Sequence, residues 1–265
     1  MTIGKLPGGG RRAIRWLSDS DQAGFGELSD AHRGFRQPEG RRRKSTSAVV
    51  LAAELARTGA AVVVIDADPN RPVSKWARLD GKPANLSVVA DVTEATVIDQ
   101  IEAWAARVPF VLVDLEGTAS LTVAYAVSRA DLVVIPLQGS QLDASEAARA
   151  IGLIRQQERA FGRKIAYAAL FTRTSAAIRP RLLQHIRDEL RRAGVPILAA
   201  QMHEREAFRA IFSFGGTVHT LSASQVSNLP AAMANARALA AEVVGMLRRD
   251  AAVPIEHVAA RQAAQ

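Results

Sequence analysis

A chain of 265 residues is long enough for one domain with a sizeable core, and a formal charge of +8 with a pI near 10.7 favours contact with polyanions. The absence of cysteine excludes disulfides, cysteine-ligated zinc and thiolate-held iron–sulfur clusters, and suits a reducing compartment. No apolar run approaches the roughly 20 residues of a membrane span, and residues 1–30 lack an apolar signal core, so the sequence predicts a soluble, cytoplasmic protein.

Residues 1–43 show no sustained helical or strand period and are rich in Gly, Arg, Ser and Asp, which predicts a disordered or non-native leader. Order is expected from Lys44 onward. "KSTSAVVLAAELARTG" is an Ala/Leu-rich helix stopped by Gly59, and "AAVVVIDAD" is a short, continuously apolar strand of the kind buried on both faces. A helix is expected over residues 92–106, then the strand "FVLVDLE", a helix in "LTVAYAVSRA" and the strand "DLVVIPL". There follow a helix in "DASEAARAIGLIRQQERAFG", the strand "KIAYAALFTRT", a helix in "IRPRLLQHIRDELRRAG" with a bend at Pro180, and a last strand in "VPILAAQM". A helix over residues 229–249 closes the pattern, with a flexible tail over 250–265. This alternation predicts an α/β fold, a mostly parallel sheet with helices on both faces, formed by residues 44–249.

Three features carry chemistry. Lys44-Ser45-Thr46 opens a helix, where free N–H groups and the helix dipole attract phosphate, a lysine neutralises β/γ oxygens and a hydroxyl holds Mg2+. Alone, the tripeptide reads as an N-cap serine beside a solvated lysine. Asp66 and Asp68 end one apolar strand and Asp114 ends another, on the same edge of a parallel sheet, where ligands bind. A strand-end carboxylate can orient Mg2+ through water or simply cap a turn. Three of them in this order beside Lys-Ser-Thr favour the first role.

With these motifs the sequence resembles the ParA/MinD family of deviant-Walker P-loop ATPases over residues 44–249. "DADPN" is similar to that family's second motif, "FVLVD" to its Walker B strand and "ADLVVIPLQGSQLD" to the next strand and loop. "DADPNRPVSKW" with "MHEREAF" is similar to small plasmid-borne ParA proteins, including the VirC type that acts on transferred DNA. The resemblance implies a three-layer, Rossmann-like P-loop fold, ATP and Mg2+ as cofactors, and partitioning of a plasmid or chromosome. It implies that Gly40, Lys44, Ser45, Thr46, Asp66 and Asp114 bind nucleotide, with Lys44 on the β/γ-phosphates and Thr46 on the α-phosphate. Ser45, Asp68 and Asp114 would serve Mg2+, partly through water, with Asp68 also orienting the attacking water. Glu116 stands where the family usually has Thr-Pro-Pro, and its role is open. Further implications are an ATP-dependent homodimer, non-specific DNA binding released by hydrolysis, a centromere-binding ParB-like adaptor and a nucleoid-associated location.

The phosphate loop departs from this pattern. The family reads KGGxGKST, whereas Glu39 to Thr46 read EGRRRKST and keep only Gly40 of the loop glycines. Arginines at glycine positions block a backbone that must approach phosphate closely, and Glu39 reverses a charge. Arginines also attract phosphate, so a diverged working loop is the alternative. Written in permitted codons, residues 37–43 read one base forward give S-Q-K-G-G-V-G, and residues 30–36 give M-x-I-V-V-F-A, a start and an apolar strand. This predicts one lost base between Arg43 and Lys44, an out-of-frame leader over residues 1–43, and weak or absent ATP binding by this chain.

Residues 155–192 hold ten Lys/Arg against Glu158, Asp188 and Glu189, a local charge of +7. Arg179, Arg181, Arg187, Arg191 and Arg192 are the expected phosphate contacts to DNA, with a steep salt dependence. The C-terminal helix lacks the bulky apolar face opposite a lysine-rich one that membrane binding needs, so no membrane partner is expected. Two other readings remain: a DNA-binding protein without nucleotide turnover, and a VirC-type DNA-transfer accessory protein. A dinucleotide dehydrogenase is disfavoured because no G-x-G-x-x-G precedes the first helix.

Overall fold

The computed structural model describes residues 12–16, 42–115, 120–175 and 181–251. Seven strands form one sheet: β1 (Arg12–Trp16), β2 (Val62–Ala67), β3 (Leu86–Val89), β4 (Phe110–Leu115), β5 (Leu132–Leu137), β6 (Ala166–Thr174) and β7 (Met202–His203). Their order is β3-β2-β4-β1-β5-β6-β7, and every pairing is parallel.

The long apolar runs explain the layering, because a strand covered on both faces has no polar side to alternate with. Val62, Val64, Leu112, Leu132, Val134 and Leu170 point into one core. That core is filled by α1 (Arg42–Arg57), α2 (Pro72–Ala77), α7 (Glu206–Phe214) and α8 (Leu229–Ala251). The intervening Val63, Ile65, Val111, Val113, Val133 and Phe171 point into the other. There α3 (Val97–Ala105), α4 (Leu121–Ser128), α5 (Gln141–Phe161) and α6 (Arg181–Arg192) cover them. The expected fold class, a parallel sheet between two helical layers, is the one observed.

Several elements differ from the sequence expectation. Arg12–Trp16 lies in the centre of the sheet, with Arg12 opposite Phe110 and Ile14 opposite Leu132. An element therefore falls inside the stretch expected to be an irregular leader. The central slot must be filled, since β4 and β5 would otherwise bury two rows of unpaired N–H and C=O groups. The rest of that leader before residue 42, and the tail beyond residue 251, lie outside the described residues. The expected strand in "VPILAAQM" reduces to a bridge between Ile197 and Ala169 followed by the two-residue β7. The helix expected over residues 92–106 begins at Val97. Three short elements, α2, β3 and α7, were not expected.

The α7–α8 connection is tied down on the α1 side. Trp76 donates its indole N–H to the Gly216 carbonyl at 2.9 Å, and His219 pairs with the buried Glu54 of α1. Gly216 has φ +66, and a Cβ there would overlap Thr220 Oγ1, so only glycine fits.

Candidate functional site

All strands run parallel, so their C-terminal ends form one edge of the sheet, and α1 starts at that edge. Asp66 and Asp114 are register partners on the adjacent strands β2 and β4. Register partners on parallel neighbours share a face, and here it is the face covered by α1. Ser45, in the first turn of α1, donates its hydroxyl hydrogen to Asp114 Oδ2 at 2.5 Å, and only 1 % of each residue is exposed. Thr46 follows on the same helix, half-buried.

Asp66 is buried as well. Its Oδ2 accepts from both the backbone N–H and the hydroxyl of Ser74, each at 2.7 Å. Its Oδ1 has no hydrogen-bond partner among the described residues. Burial raises the carboxyl above its ordinary value; the two Ser74 bonds pull it down, and neighbouring Asp68 pushes it up again. Asp68, also buried, closes a local turn. Its Oδ1 accepts from the backbone N–H of Asn70 at 2.7 Å and from the Asn70 amide at 3.0 Å.

The structure thus brings Ser45, Asp66 and Asp114 to one sheet edge, with Thr46 next to Ser45 on α1 and Asp68 two residues beyond Asp66. Lys44 has helical backbone in α1, while its side chain lies outside what is described, as do Gly40 and Glu116. Helical backbone already includes Arg42 and Arg43. Ser74 was missed by sequence reasoning: it reaches back from α2 to Asp66, eight residues earlier, and a serine in a short helix after Pro72 gives no signal of that reach.

The donor set suits a hard divalent cation. It consists of a hydroxyl and carboxylates, all oxygen, and one carboxylate oxygen is buried without a partner. Ser45, Asp66, Asp68 and Asp114 are therefore the residues that would hold Mg2+ directly or through water. Among the described residues no group of three or more His, Asp or Glu is arranged to hold a metal ion.

The predicted DNA contacts divide. Arg181, Arg191 and Arg192 are exposed on α6. Arg191 pairs with Asp188 at 3.3 Å, and Arg192 Nε donates to the Asp188 carbonyl at 3.3 Å. Arg187 is half-buried, with its guanidinium 5.4 Å above the ring of buried Phe171. Arg179 falls outside the described residues. Arg155 and Arg159 of the neighbouring α5 are exposed.

At the far side of the same sheet edge, Arg173 pairs with Glu204, which also pairs with Arg209. His203 Nδ1 lies 2.9 Å from the Thr174 hydroxyl, and burial, followed by the charge of Arg205, lowers its pKa.

With this geometry in hand, comparison with known proteins is decisive. A family model described as VirC1 protein matches residues 35–250. The chain belongs to the VirC1 family. A protein named ParA from Rhizobium radiobacter is 43% identical over 197 residues, 74% of this chain and 88% of that protein. VirC1 from Rhizobium rhizogenes is 26% identical over 173 residues, 63% of this chain and 74% of that protein. Among solved structures, MinD of Aquifex aeolicus superposes with a TM-score of 0.61 at 17% identity, covering 88% of this chain and 97% of its own. A ParA family ATPase from Chlorobium tepidum gives 0.59 at 14% identity, covering 87% and 99%. A plasmid partition protein from Borrelia burgdorferi bound to AMPPNP gives 0.60 at 14% identity, covering 89% and 99%. The likeness to these structures shows the P-loop fold of MinD and ParA, and the sequence matches place this VirC1-family chain among ParA/MinD-type proteins close to ParA and VirC1. No helix among the described residues is long and apolar enough to cross a membrane.

Proposed function

We propose that the protein is a ParA-type ATPase that partitions or transfers DNA, with ATP and Mg2+ as cofactors. The observation that carries this reading is the Ser45–Asp114 hydrogen bond beside Asp66 and Asp68 on one sheet edge. A hydroxyl held against a strand-end carboxylate is what Mg2+ coordination between a P-loop helix and a Walker B strand requires. Asp68 orients the attacking water, and Lys44 and Thr46 hold phosphate oxygens. ATP joins two copies, the dimer contacts DNA without sequence preference through Arg181, Arg191 and Arg192, and hydrolysis releases it. A ParB-like adaptor links the dimer to its cargo, and the working location is the nucleoid-covered cytoplasm. Arg155 of α5, adjoining α6, extends the phosphate-contacting face.

The loop before Lys44 limits this activity. Helical backbone from Arg42 and three arginines in place of the family pattern leave no glycine cradle. The reading-frame change explains this, since it converts residues 37–43 to S-Q-K-G-G-V-G while leaving Lys44 onward intact. Two chains test the reading: the unaltered protein with EGRRRKST, and a variant carrying S-Q-K-G-G-V-G at 37–43 behind I-V-V-F-A. Equilibrium binding of a labelled ATP with and without Mg2+ is expected to be weak for the first and tight and Mg2+-dependent for the second. Tight Mg2+-dependent binding by the first chain would falsify the assignment of a broken loop, and no binding by the second would remove the ATPase reading. ATP-independent, salt-sensitive DNA binding by both chains would favour the second reading, a DNA-binding protein without turnover.

A further inference from the structure

The end of the molecule opposite the nucleotide edge carries a surface that none of this explains. Helices α3, α4 and α5 all finish where β4, β5 and β6 begin, about 13 Å along β4 from Asp114. There Phe161, the last residue of α5, is 51 % exposed, with the Arg129 guanidinium 5.9 Å from its ring centre. Arg129 is held in place from α3 by Glu102 at 2.7 Å. Just past the end of α3, Arg107 lies 5.7 Å over the half-buried ring of Trp104. Arg163 donates to the carbonyls of Ser128 and Ala130 at 3.1 and 2.5 Å, which ties the end of α5 to the end of α4.

The electrostatics select an occupant. Arg163 serves the α4 carbonyls and Arg129 serves Glu102, so both are already used. Glu158 accepts the Ile165 N–H at 3.0 Å. What points outward is Arg107, Arg159 and Lys164, the last 93 % exposed and 3.4 Å from Glu158. An exposed Phe161 ring and a half-buried Trp104 ring, each within about 6 Å of an arginine and with outward cations around them, have the composition of protein–protein anchors. A few outward cations with Glu102 and Glu158 among them suit a short acidic segment better than a run of DNA phosphates, which those carboxylates repel.

We propose that this face docks an acidic segment of a partner protein, with an apolar side chain of that segment seated on Phe161 and Trp104 and its carboxylates on Arg107, Arg159 and Lys164. Because the face lies on the opposite edge from Ser45, Asp66 and Asp114, a partner held there leaves the nucleotide edge open. The partner can therefore stay attached in either nucleotide state, as cargo tethering requires.

The test is selection of a random dodecapeptide display library on the immobilised full chain, followed by anisotropy of an enriched, fluorescently labelled peptide. Enriched peptides are expected to combine Asp or Glu with Phe, Trp or Leu. Their affinity is expected to fall about tenfold or more in Phe161→Ala and in Arg107→Glu, and to stay within about twofold in Phe214→Ala, an exposed apolar residue of the opposite layer. Both test positions are exposed, and circular dichroism of each variant establishes that it is folded. Unchanged affinity in both variants, or a library that enriches nothing, overturns the proposal. So does loss of binding to a short DNA duplex in these variants with peptide affinity intact, which would make the face a nucleic-acid surface.

Discussion

Replacing Ser45 with alanine isolates the contact on which the site rests. The Ser45 hydroxyl is the donor to Asp114 Oδ2 at 2.5 Å, and 1 % of either residue is exposed, so water cannot take over when the hydroxyl is removed. A hydrogen bond to a charged group contributes roughly 1.5–3 kcal/mol, and removing the donor leaves a buried carboxylate oxygen short of one partner. The alanine fits sterically and keeps the helix, having higher helix propensity than serine. The expected loss is therefore about 1.5–3 kcal/mol in the metal-free protein, or roughly 3–12 °C in Tm for a chain of this size. Asp114→Ala removes the acceptor of the same bond. In the double variant the two effects are not additive, because they share one interaction. Urea unfolding in EDTA, with the four proteins of the cycle, gives the coupling directly. Equal stability of Ser45→Ala and the parent, or strict additivity, would refute the claim that this hydroxyl–carboxylate bond locks α1 to β4.

Two further outcomes follow from buried groups and close approach. Asp66 has its carboxyl raised above the ordinary 3.8, chiefly by burial, so the folded state holds that proton more tightly than the unfolded chain and stability declines as pH climbs from 3.8 through the raised value. Asp66→Asn still accepts from Ser74 and has no proton to lose, so in EDTA its stability relative to the parent should improve between about pH 4 and pH 7; a pH-independent difference would contradict the buried, unpartnered Oδ1. Gly216→Ala places a Cβ against Thr220 Oγ1 at φ +66, and should cost about 1–3 kcal/mol in unfolding free energy. A neutral effect would mean that the α7–α8 connection does not pack against Thr220 and Trp76.

The strands β2, β4, β5 and β6 were legible because each is a run rich in Val, Ile, Leu or Ala, long enough to be buried on both faces. The carboxylates at two of their ends were legible for the same reason: a charged residue that terminates such a run sits at the sheet edge. Short elements were not. β3 contributes four residues, two of them half-buried and one exposed, and β7 contributes two, too little pattern to separate from a loop. α2 spans 6 residues, less than the window over which a helical period can be recognised.

The central strand is where sequence and structure pull hardest against each other. A parallel sheet of this order needs a strand between β4 and β5, and RAIRW supplies the backbone hydrogen bonds. Its residues suit the slot poorly. The neighbouring strands are rich in Val, Leu and Ile, whereas two of the five residues of RAIRW are arginine. The connection is also unlike a phosphate loop. Residues 17–41 separate β1 from α1, whereas a P-loop joins its strand directly to its helix through a few glycine-rich residues. The alternative frame satisfies both demands at once, because I-V-V-F-A is apolar throughout and runs straight into S-Q-K-G-G-V-G and Lys44. The slot is thus specified by the rest of the fold, and the segment that best matches it is the one a single base would restore.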